Sequence, residues 1–445
     1  MKIVDSSRFP RVAQLFVLAA LACGFSGQGL LAQETSASIR GQVVSASDGS
    51  PVSDAEVRIT HMPSGTVASS QTGSSGQFFE TGLRVGGPYQ IRVVADDYGT
   101  EVRENIFLQQ GSQNPLAIAM DGGDAEMDRV VVTGQRMVSE IELNNGVGSA
   151  FSARDIATQP TTDRDVISTL VRDPFAQSDA VGELSVAGRN PRFNSFSIDG
   201  ASQTDNFGLS DGTYATSRSP INLDAVESAT LAVADYSVTA SDFVGAGVNI
   251  TTKSGTNEFD GSAFYAFNDE RFVGNSFDGG EFDPGVFKEE EYGFTLGGPI
   301  IKDKLFFFVS YDEYENAAPV DFTSTDERNG VDPEFFDVAR DVIEQSLGFD
   351  PGPRPQVVNV PETSERTLVK LDWNVTDDQR LSFTYQNTEE SDVSVDSDEF
   401  ESAWYDIPLE VEAFTGQLFS DWTNNFSTNL RVNYTETSRG QICRA

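Results

Sequence analysis

Residues 247–262 read GVNITTKSGTNEFDGS, and they separate two parts of the chain with different residue patterns. Before them lies glycine-rich sequence of mixed polarity. After them, apolar and aromatic residues alternate with polar ones along much of the remaining chain. A period of two is typical of β-strands that have one apolar and one polar face. The stretch therefore predicts a boundary between a compact domain and a region built from strands.

The sequence after this boundary predicts an array of β-strands. We predict about seven strands, at roughly residues 258–270, 287–299, 304–315, 365–376, 379–390, 411–423 and 427–437. In one of them, Leu381, Phe383 and Tyr385 alternate with polar residues. One apolar and one polar face per strand is what a lipid-facing barrel wall requires.

The connections between these strands alternate between short and long. Short connections lie near residues 298–303, 375–378 and 424–426, and long acidic ones near 271–286, 316–364 and 391–410. Outer-membrane barrels have short periplasmic turns and long extracellular loops. The pattern therefore predicts a transmembrane β-barrel wall. We also predict a helix from Pro333 to Leu347 that acts as a local cap on the longest connection.

The start of the chain has the features of an exported protein. Basic residues precede an apolar run from Val12 to Leu21, and a second short apolar run ends at Ala32. This is the layout of a secretory signal peptide, which we place at residues 1–32. The apolar run is shorter than the ~20 residues that a membrane-spanning helix needs. A lipoprotein signal ending at Cys23 is the weaker alternative.

Residues 36–121 predict a small β-sandwich, because short β-rich segments are separated by turn residues at roughly 8–12-residue intervals. The order of these residues resembles the carboxypeptidase regulatory-like domain, with matches at Gly41-x-Val43, Gly49-x-Pro51-Val52, Ala55-x-Val57, Gly76-x-Phe78, Gly82-Leu83 and Tyr89-x-Ile91. The resemblance implies a transthyretin-like or carbohydrate-binding-like fold and no peptidase activity. We expect a spacer or docking module, since the sequence offers no aromatic platform for a carbohydrate.

Two further motifs lie between the sandwich and the boundary. Residues 189–200 read RNPRFNSFSIDG, and residues 219–227 read SPINLDAVE. Together with the boundary stretch, and in the same order, they resemble the plug domain of TonB-dependent outer-membrane receptors. The resemblance implies a TonB-box segment and an α+β plug domain over residues 128–255. The candidate plug residues are Arg189, Asn190, Asp199, Gly200, Gly247, Lys253 and Gly255.

A β-branched run precedes the plug-like motifs. It consists of Val130, Val131, Val132 and Thr133. A run of this kind can pair with an exposed strand edge of another protein. By the resemblance it is a candidate TonB box, the segment on which the periplasmic partner TonB pulls. The alternative is an ordinary buried strand.

The clearest helix start in this region is Thr162, which we predict to be the N-cap. Asp165 would then occupy the third helical position, in place of the usual Glu or Gln. Apolar residues between Val166 and Val171 follow at helical spacing. We expect this apolar stripe to form core rather than a cofactor site.

Residues 297–308, GGPIIKDKLFFF, resemble a segment of Oar-like TonB-dependent receptors, which also carry a regulatory-like domain before the plug. The resemblance implies a mainly β chain made of a sandwich, an α+β plug and, from residue 258 to 445, the first strands of a transmembrane barrel. Receptors of this family close a barrel of about 22 strands. We therefore expect an incomplete barrel and a C-terminally truncated chain.

The resemblance also implies a function. The protein would lie in the Gram-negative outer membrane, in contact with its lipid, bind an extracellular ligand and admit that ligand through a plugged barrel with energy from TonB. The ligand would be a siderophore, a glycan, a peptide or a protein. The alternative is an exported, outer-membrane-associated adhesion or matrix protein without transport activity.

Composition argues against several other functions. The formal net charge of −39 opposes binding to nucleic acid, because phosphate backbones require a basic surface. The chain has one histidine and two cysteines, so we expect no metal site, no cofactor and no catalytic residue. We accordingly expect the protein not to be an enzyme, and His61 to be an ordinary surface residue.

Overall fold

The structure is a computed structural model. It describes residues 35–111, 114–122, 146–159, 161, 164–178, 183–205, 213–235, 244–274, 276–277, 280–281, 285–332, 334–396, 399–423 and 426–444. The predicted signal peptide and the candidate TonB box, Val130 to Thr133, lie outside these residues.

Seven strands form the predicted β-sandwich, referred to below as the sandwich. They are β1 (Ala37–Ser45), β2 (Glu56–His61), β3 (Thr66–Gln71), β4 (Gln77–Leu83), β5 (Gly86–Ala95), β6 (Gly99–Leu108) and β7 (Pro115–Met120). One sheet has the order β4-β1-β7 and the other β3-β2-β5-β6. Alternate residues of each strand, such as Val57 and Ile59 in β2, enter one buried apolar cluster. This is the period-two burial that the sequence predicted.

One close approach inside the sandwich requires a glycine. A Cβ atom at Gly41 in β1 would lie 2.0 Å from a ring carbon of Phe78 in β4. Any side chain there would collide with the aromatic ring that fills the core at this point. The first glycine of the regulatory-like motif therefore has a packing role.

The next part of the chain, referred to below as the middle domain, mixes short helices with strands. Its strands are β8 (Gly146–Ser152), β9 (Ala176–Ser178), β10 (Leu184–Val186), β11 (Ser195–Ile198), β12 (Ala201–Ser202), β13 (Val226–Asp235) and β14 (Gly247–Thr252). Its helices are Ala153–Ala157 and Ile167–Leu170, with 3₁₀ turns at Pro191–Phe193 and Leu223–Ala225. Five of the strands form a mixed sheet of order β12-β11-β14-β13-β8, in which β11 and β14 run parallel.

The helix predicted to start at Thr162 starts later. Thr162 lies outside the described residues, and the helix begins at Ile167 with Val166 at the N-cap position. The Ile167 amide donates instead to the Asp165 side chain at 2.8 Å. The predicted N-cap was therefore wrong, because this carboxylate already satisfies the first free helical amide. The predicted apolar stripe is core, since Val166, Ile167 and Leu170 are buried.

The last part of the chain, referred to below as the wall, is a sheet of seven long strands. In chain order its elements, with the small hairpin β16–β17 and the short β24, are β15 (Asp260–Asp269), β16 (Ser276–Phe277), β17 (Gly280–Glu281), β18 (Lys288–Ile301), β19 (Leu305–Asp321), β20 (Val357–Thr376), β21 (Gln379–Ser394), β22 (Tyr405–Thr423), β23 (Phe426–Arg439) and β24 (Ile442–Cys443). The long strands pair antiparallel in sequence order, and β24 pairs with β22. In the described residues the wall is an open sheet with β15 and β23 at its edges.

The wall strands are longer than predicted at the ends that face the long connections. β19 continues to Asp321, β20 begins at Val357 and β22 begins at Tyr405. The β22 extension does alternate, with Tyr405, Ile407 and Leu409 at every second position, so this part of the strand carried a signal that the prediction missed. The longest connection contains the helices Thr323–Asn329 and Glu334–Leu347, and the second of these was predicted. The remaining connections carry 3₁₀ turns at Glu270–Phe272 and Glu401–Ala403.

The two faces of the wall are the reverse of those of a water-soluble sheet. In β20, Leu371 and Trp373 are 38% and 47% exposed, whereas the charged Lys370 and Asp372 between and beside them are 6% and 3% exposed. The apolar face therefore points outward and the polar face inward. An outward apolar face is stable only against lipid, as in outer-membrane barrels. No helix in the described part of the chain is long and apolar enough to cross a membrane.

Candidate functional site: the inner face of the wall

The predicted residue Asp199 lies at the centre of the contact between the middle domain and the wall. It follows β11 with a left-handed φ of 46° and is buried. Its carboxylate accepts hydrogen bonds from the Thr252 amide at 2.9 Å and the Thr252 hydroxyl at 2.6 Å. From the wall, the Thr384 hydroxyl donates to it at 2.9 Å. The Asp199 cluster is completed by Lys370, whose Nζ lies 3.2 Å from the carboxylate.

Lys370 reaches this cluster from β20 as a buried cation. Its Nζ also donates to the Thr252 carbonyl at 3.1 Å and to the Thr252 hydroxyl at 3.0 Å. Burying an ion costs several kcal/mol unless a counter-charge and hydrogen bonds replace the lost water. Asp199 and Thr252 supply these, so one wall residue holds together the ends of β11 and β14.

A second charged cluster lies further along β20, around Arg366. Its Nη1 donates to the Ser219 carbonyl of the middle domain at 2.8 Å, and its Nε donates to Asp312 in β19 at 2.6 Å. Its Nη2 donates to Glu291 in β18 at 3.0 Å. Arg218 of the middle domain donates to the same Glu291 at 3.2 Å and lies over the Tyr314 ring. The Arg366 cluster therefore clamps the loop around residue 219 against three wall strands.

Two of the predicted glycines, Gly200 and Gly255, lie in close contact with atoms of the wall. A Cβ atom at Gly200 would lie 2.4 Å from an Arg431 nitrogen, and Gly200 also has a φ of +79°. A Cβ atom at Gly255 would lie 2.3 Å from the Phe307 carbonyl oxygen and 2.8 Å from that of Gly298. Backbone atoms of the wall leave no room for a side chain at Gly255, whereas at Gly200 the positive φ favours glycine and the Arg431 side chain would have to move.

The other predicted residues lie elsewhere in the middle domain. Gly247 opens β14 and pairs with Ser195 and Ala232. Lys253 follows β14, and its amide donates to the Ala225 carbonyl at 2.8 Å. The structure places neither residue in the Asp199 cluster.

Arg189 and Asn190 stand apart from both charged clusters. Both are exposed. The Asn190 side chain accepts a hydrogen bond from the Arg192 amide at 3.0 Å and so caps the 3₁₀ turn that follows. In the structure this part of the motif shapes a turn.

Three wall members of the two clusters, Lys370, Thr384 and Arg366, were not among the predicted site residues. A signal for them was present. They stand on the polar side of strands whose other side carries Leu371, Trp373 or Phe383, and charges on that side of a membrane strand must face inward.

The sandwich also contacts the wall, and it does so through polar groups. Arg84 Nη1 lies 3.4 Å from Asp372 Oδ1, and both side chains are buried. The side-chain Nδ2 of Asn374 donates to the Thr66 hydroxyl at 3.1 Å. Arg380 Nη2 donates to the Gly82 carbonyl at 2.9 Å. These contacts join residues about 300 positions apart in the chain, and no local pattern predicts them.

His61 lies in this contact region, and the expectation that it is a surface residue was wrong. It is 8% exposed, and its Nδ1 lies 2.7 Å from the Ser64 hydroxyl. Burial, together with nearby Arg84 and Arg380, lowers the pKa of His61 to about 3. The imidazole is therefore neutral at physiological pH. The signal for its burial was its place two residues after Ile59 in the alternation of β2.

A polar cavity of about 110 Å³ lies between the sandwich, the middle domain and the wall. Its lining includes Arg84, Asp199, Glu227, Lys370, Asp372 and Arg380. Burial raises the pKa of Glu227. Among the described residues, Nε and Nη2 of Arg84 find no hydrogen-bond partner. The described residues contain no group of three or more His, Cys, Asp or Glu side chains placed to hold a metal ion.

Comparison with known protein families agrees with this architecture. Residues 251–343 match the family described as "Outer membrane beta barrel domain", and residues 38–121 match the "Carboxypeptidase regulatory-like domain". The chain therefore contains a region similar to outer-membrane β-barrels, preceded by a region similar to regulatory-like domains. The predicted location in the cell outer membrane is confirmed.

The chain is more particularly a homologue of the TonB-dependent transporter Oar from Myxococcus xanthus. The two are 27% identical over 230 residues, which cover 48% of this chain and 20% of that protein. This confirms the predicted resemblance to Oar-like receptors. The chain thus matches about a fifth of the length of that relative.

The chain also has matches among solved outer-membrane proteins, including one transporter and one receptor. The outer membrane transporter YddB from Escherichia coli matches with a TM-score of 0.49 and 14% identity, over 66% of this chain and 39% of that one. The siderophore receptor PirA from Acinetobacter baumannii matches with a TM-score of 0.46 and 16% identity, over 66% and 40% of the two chains.

Proposed function

We propose that the chain acts in TonB-dependent transport across the outer membrane, with the middle domain as the plug inside the wall. The observation that carries this proposal is the inner face of β20. Arg366 and Lys370 hold the middle domain by charged hydrogen bonds, and Leu368 between them packs into the apolar core of the middle domain. Water can replace the charged hydrogen bonds one by one, so these parts of the interface can separate at a modest free-energy cost when the plug shifts.

The energy for that shift would come from TonB through Val130 to Thr133. These residues stand upstream of the middle domain, between it and the sandwich, and their β-branched side chains favour an extended strand. We propose that they add a strand to an edge of TonB, which transmits a pull to the plug. We also propose that residues 36–121 are the sandwich, residues 128–255 the TonB-box segment and plug, and residues 258–445 the barrel wall.

The ligand would bind at the end of the wall that carries the long connections, which is the extracellular end in outer-membrane barrels. Siderophores, glycans, peptides and proteins are the classes to screen. Similar proteins are named as transporters and receptors, and we propose no enzymatic activity. They do not favour the alternative of an adhesion protein without transport.

Binding of a peptide spanning Asp128 to Gly134 to the C-terminal domain of TonB tests the coupling step. We expect measurable binding that Val131→Pro abolishes, because proline removes the backbone N–H that a strand pair needs. Val131→Thr is the matched control, since it keeps that N–H and the β-branched side chain. Calorimetry or fluorescence anisotropy measures the affinity. Absence of binding, or binding that survives Val131→Pro, would refute the proposed coupling.

A further inference from the structure

In the described part of the chain, the contacts between the sandwich and the wall lie at the end of the short turns. A Cβ atom at Gly65 of the sandwich would lie 2.4 Å from Asp303, in the turn between β18 and β19. Arg380, just after the next short turn, donates to the Gly82 carbonyl. Gly82 also lies against Phe419, near the end of β22 that leads to the third short turn. Among the described residues, the sandwich therefore contacts the first short turn of the wall and strand residues beside the other two.

One strand holds both the middle domain and the sandwich. Along the inner face of β20, Arg366 and Lys370 bind the middle domain, and Asp372 and Asn374 bind the sandwich. The spacing of these residues is even, so all four side chains lie on the same face of the strand. Only two positions separate the last contact with the middle domain from the first contact with the sandwich.

The sandwich also contacts the middle domain directly. The Ser228 hydroxyl at the start of β13 donates to Gln110 at 3.2 Å. A Cβ atom at Gly86 would lie 2.2 Å from a Glu227 carboxylate oxygen. At this end, therefore, the middle domain is enclosed between the wall and the sandwich.

The polar contacts between the sandwich and the wall are of a kind that can separate. Its central ion pair, Arg84 with Asp372, is a single contact at 3.4 Å, and two further Arg84 donors are buried without a partner among the described residues. Buried ion pairs add little net stability, because desolvation offsets their attraction. Separation would hydrate these groups and the polar cavity beside them. Polar contacts between domains of one chain are typical of domains that move.

We propose that the sandwich is a reversible cover over the short-turn end of the plug, held closed by Arg84, and that it lifts before the plug can shift. That the sandwich closes this end of the plug does not depend on the proposed transport function. The order of the two movements rests on the proposed function. In an outer-membrane barrel the short-turn end faces the periplasm, so the cover closes the exit of the transport path.

Cysteine labelling in isolated outer membranes tests the cover. Asn374→Cys places a thiol under the sandwich, at a position that is 9% exposed, while the native Cys443 is an exposed reference. We expect a small maleimide to label Cys443 at least about 100-fold faster than position 374. Ala55→Cys, in the sandwich core at 0% exposure, reports global opening and should label more slowly still. Equal rates at 374 and 443 would refute the closed cover. Equal rates at 374 and 55 would refute its independent lifting.

The role of Arg84 is tested in the same assay. Arg84→Ala leaves Asp372 buried without its partner, so labelling at position 374 should become about tenfold faster. The exchange of both charges, Arg84→Asp with Asp372→Arg, should restore most of the protection. Arg92→Ala, which removes an exposed arginine of the same domain, should leave the rate unchanged. A rate that Arg84→Ala does not alter would show that Arg84 does not hold the cover.

A disulfide gives a second measurement that does not depend on labelling rates. In a Cys443→Ser background, Thr66→Cys with Asn374→Cys replaces two hydrogen-bonded side chains. We expect a mild oxidant to link them, seen as a shift on a non-reducing gel. Asp48→Cys with Asn374→Cys is the control, because Asp48 lies in an exposed turn beside a glycine that faces open space. No link in the first pair would overturn the proposal. These outcomes stand whether or not the TonB peptide binds.

Discussion

At the scale of single residues, the motif residues of the sequence have different tasks. Asp199 joins the middle domain to the wall through Thr252, Thr384 and Lys370. Asn190, from the same motif, caps a turn. The sequence predicted both as plug residues of one motif. A motif shows that residues occur together along the chain, but it does not show which of them are in contact. The role of Asp199 depends on its wall partners, which lie more than 100 residues further along the chain, whereas that of Asn190 is local.

The buried His61 makes the stability of the sandwich depend on pH. Its pKa is about 3 in the folded chain and 6.5 ordinarily. Below pH 6.5 the unfolded chain therefore binds a proton that the folded chain does not, and folding loses stability as the pH falls from 6.5 towards 3. At pH 5 the expected loss is about 2 kcal/mol.

Hydrogen exchange of the β2 and β5 amides, corrected for intrinsic rates, measures this loss. We expect protection in these strands to fall between pH 7 and pH 5. Most of that fall should disappear in His61→Gln, which keeps a polar side chain of similar reach but does not titrate. Equal pH dependence in both proteins would contradict a buried neutral imidazole.

At the scale of elements, the wall strands could be predicted because they alternate between apolar and polar residues. In β20 the polar residues 362–366 interrupt the alternation, which is why this strand begins eight residues before its predicted start. A local contact also sets the start of the short helix Ile167–Leu170, because the Asp165 side chain accepts a hydrogen bond from the Ile167 amide in place of the predicted N-cap, Thr162. Strand existence thus follows from a long pattern, whereas element ends depend on a few side-chain contacts.

The longest connection is held by one buried pair. Arg354 donates two hydrogen bonds to Asp326, at 2.6 and 2.7 Å, and lies against the Phe322 and Phe336 rings. We expect Arg354→Ala to destabilise the helices of this connection by about 3 kcal/mol, because it leaves a carboxylate buried without its partner. Hydrogen exchange in Glu334–Leu347 should accelerate about 100-fold.

The same connection provides a control for this prediction. Arg340 pairs with Asp350 through two hydrogen bonds at 2.7 and 2.6 Å, but at an exposed site. Exposed pairs contribute about 0–1 kcal/mol, so Arg340→Ala should change exchange by less than about fivefold. Similar effects of the two substitutions would show that burial does not set the strength of the Arg354 pair.

At the scale of the whole molecule, the order of sandwich, plug-like domain and wall could be predicted from the sequence, but its assembly could not. Arg84 meets Asp372, and Thr66 meets Asn374, across almost 300 residues of chain. Such pairs leave no local pattern. The sandwich was expected to be a spacer or docking module, and its contacts at the short-turn end are those of a docked domain.

The central claim is that the apolar face of the wall meets lipid while its polar face holds the middle domain. Trp373 on the outer face of β20 is 47% exposed, and Trp404 is 2% exposed. Single-tryptophan proteins that keep one or the other, with the remaining two replaced by Phe, can be reconstituted in lipids brominated along the acyl chain. We expect strong quenching of Trp373 fluorescence and little quenching of Trp404. A Trp373 signal that brominated lipid leaves unchanged, and that aqueous iodide quenches, would contradict the account.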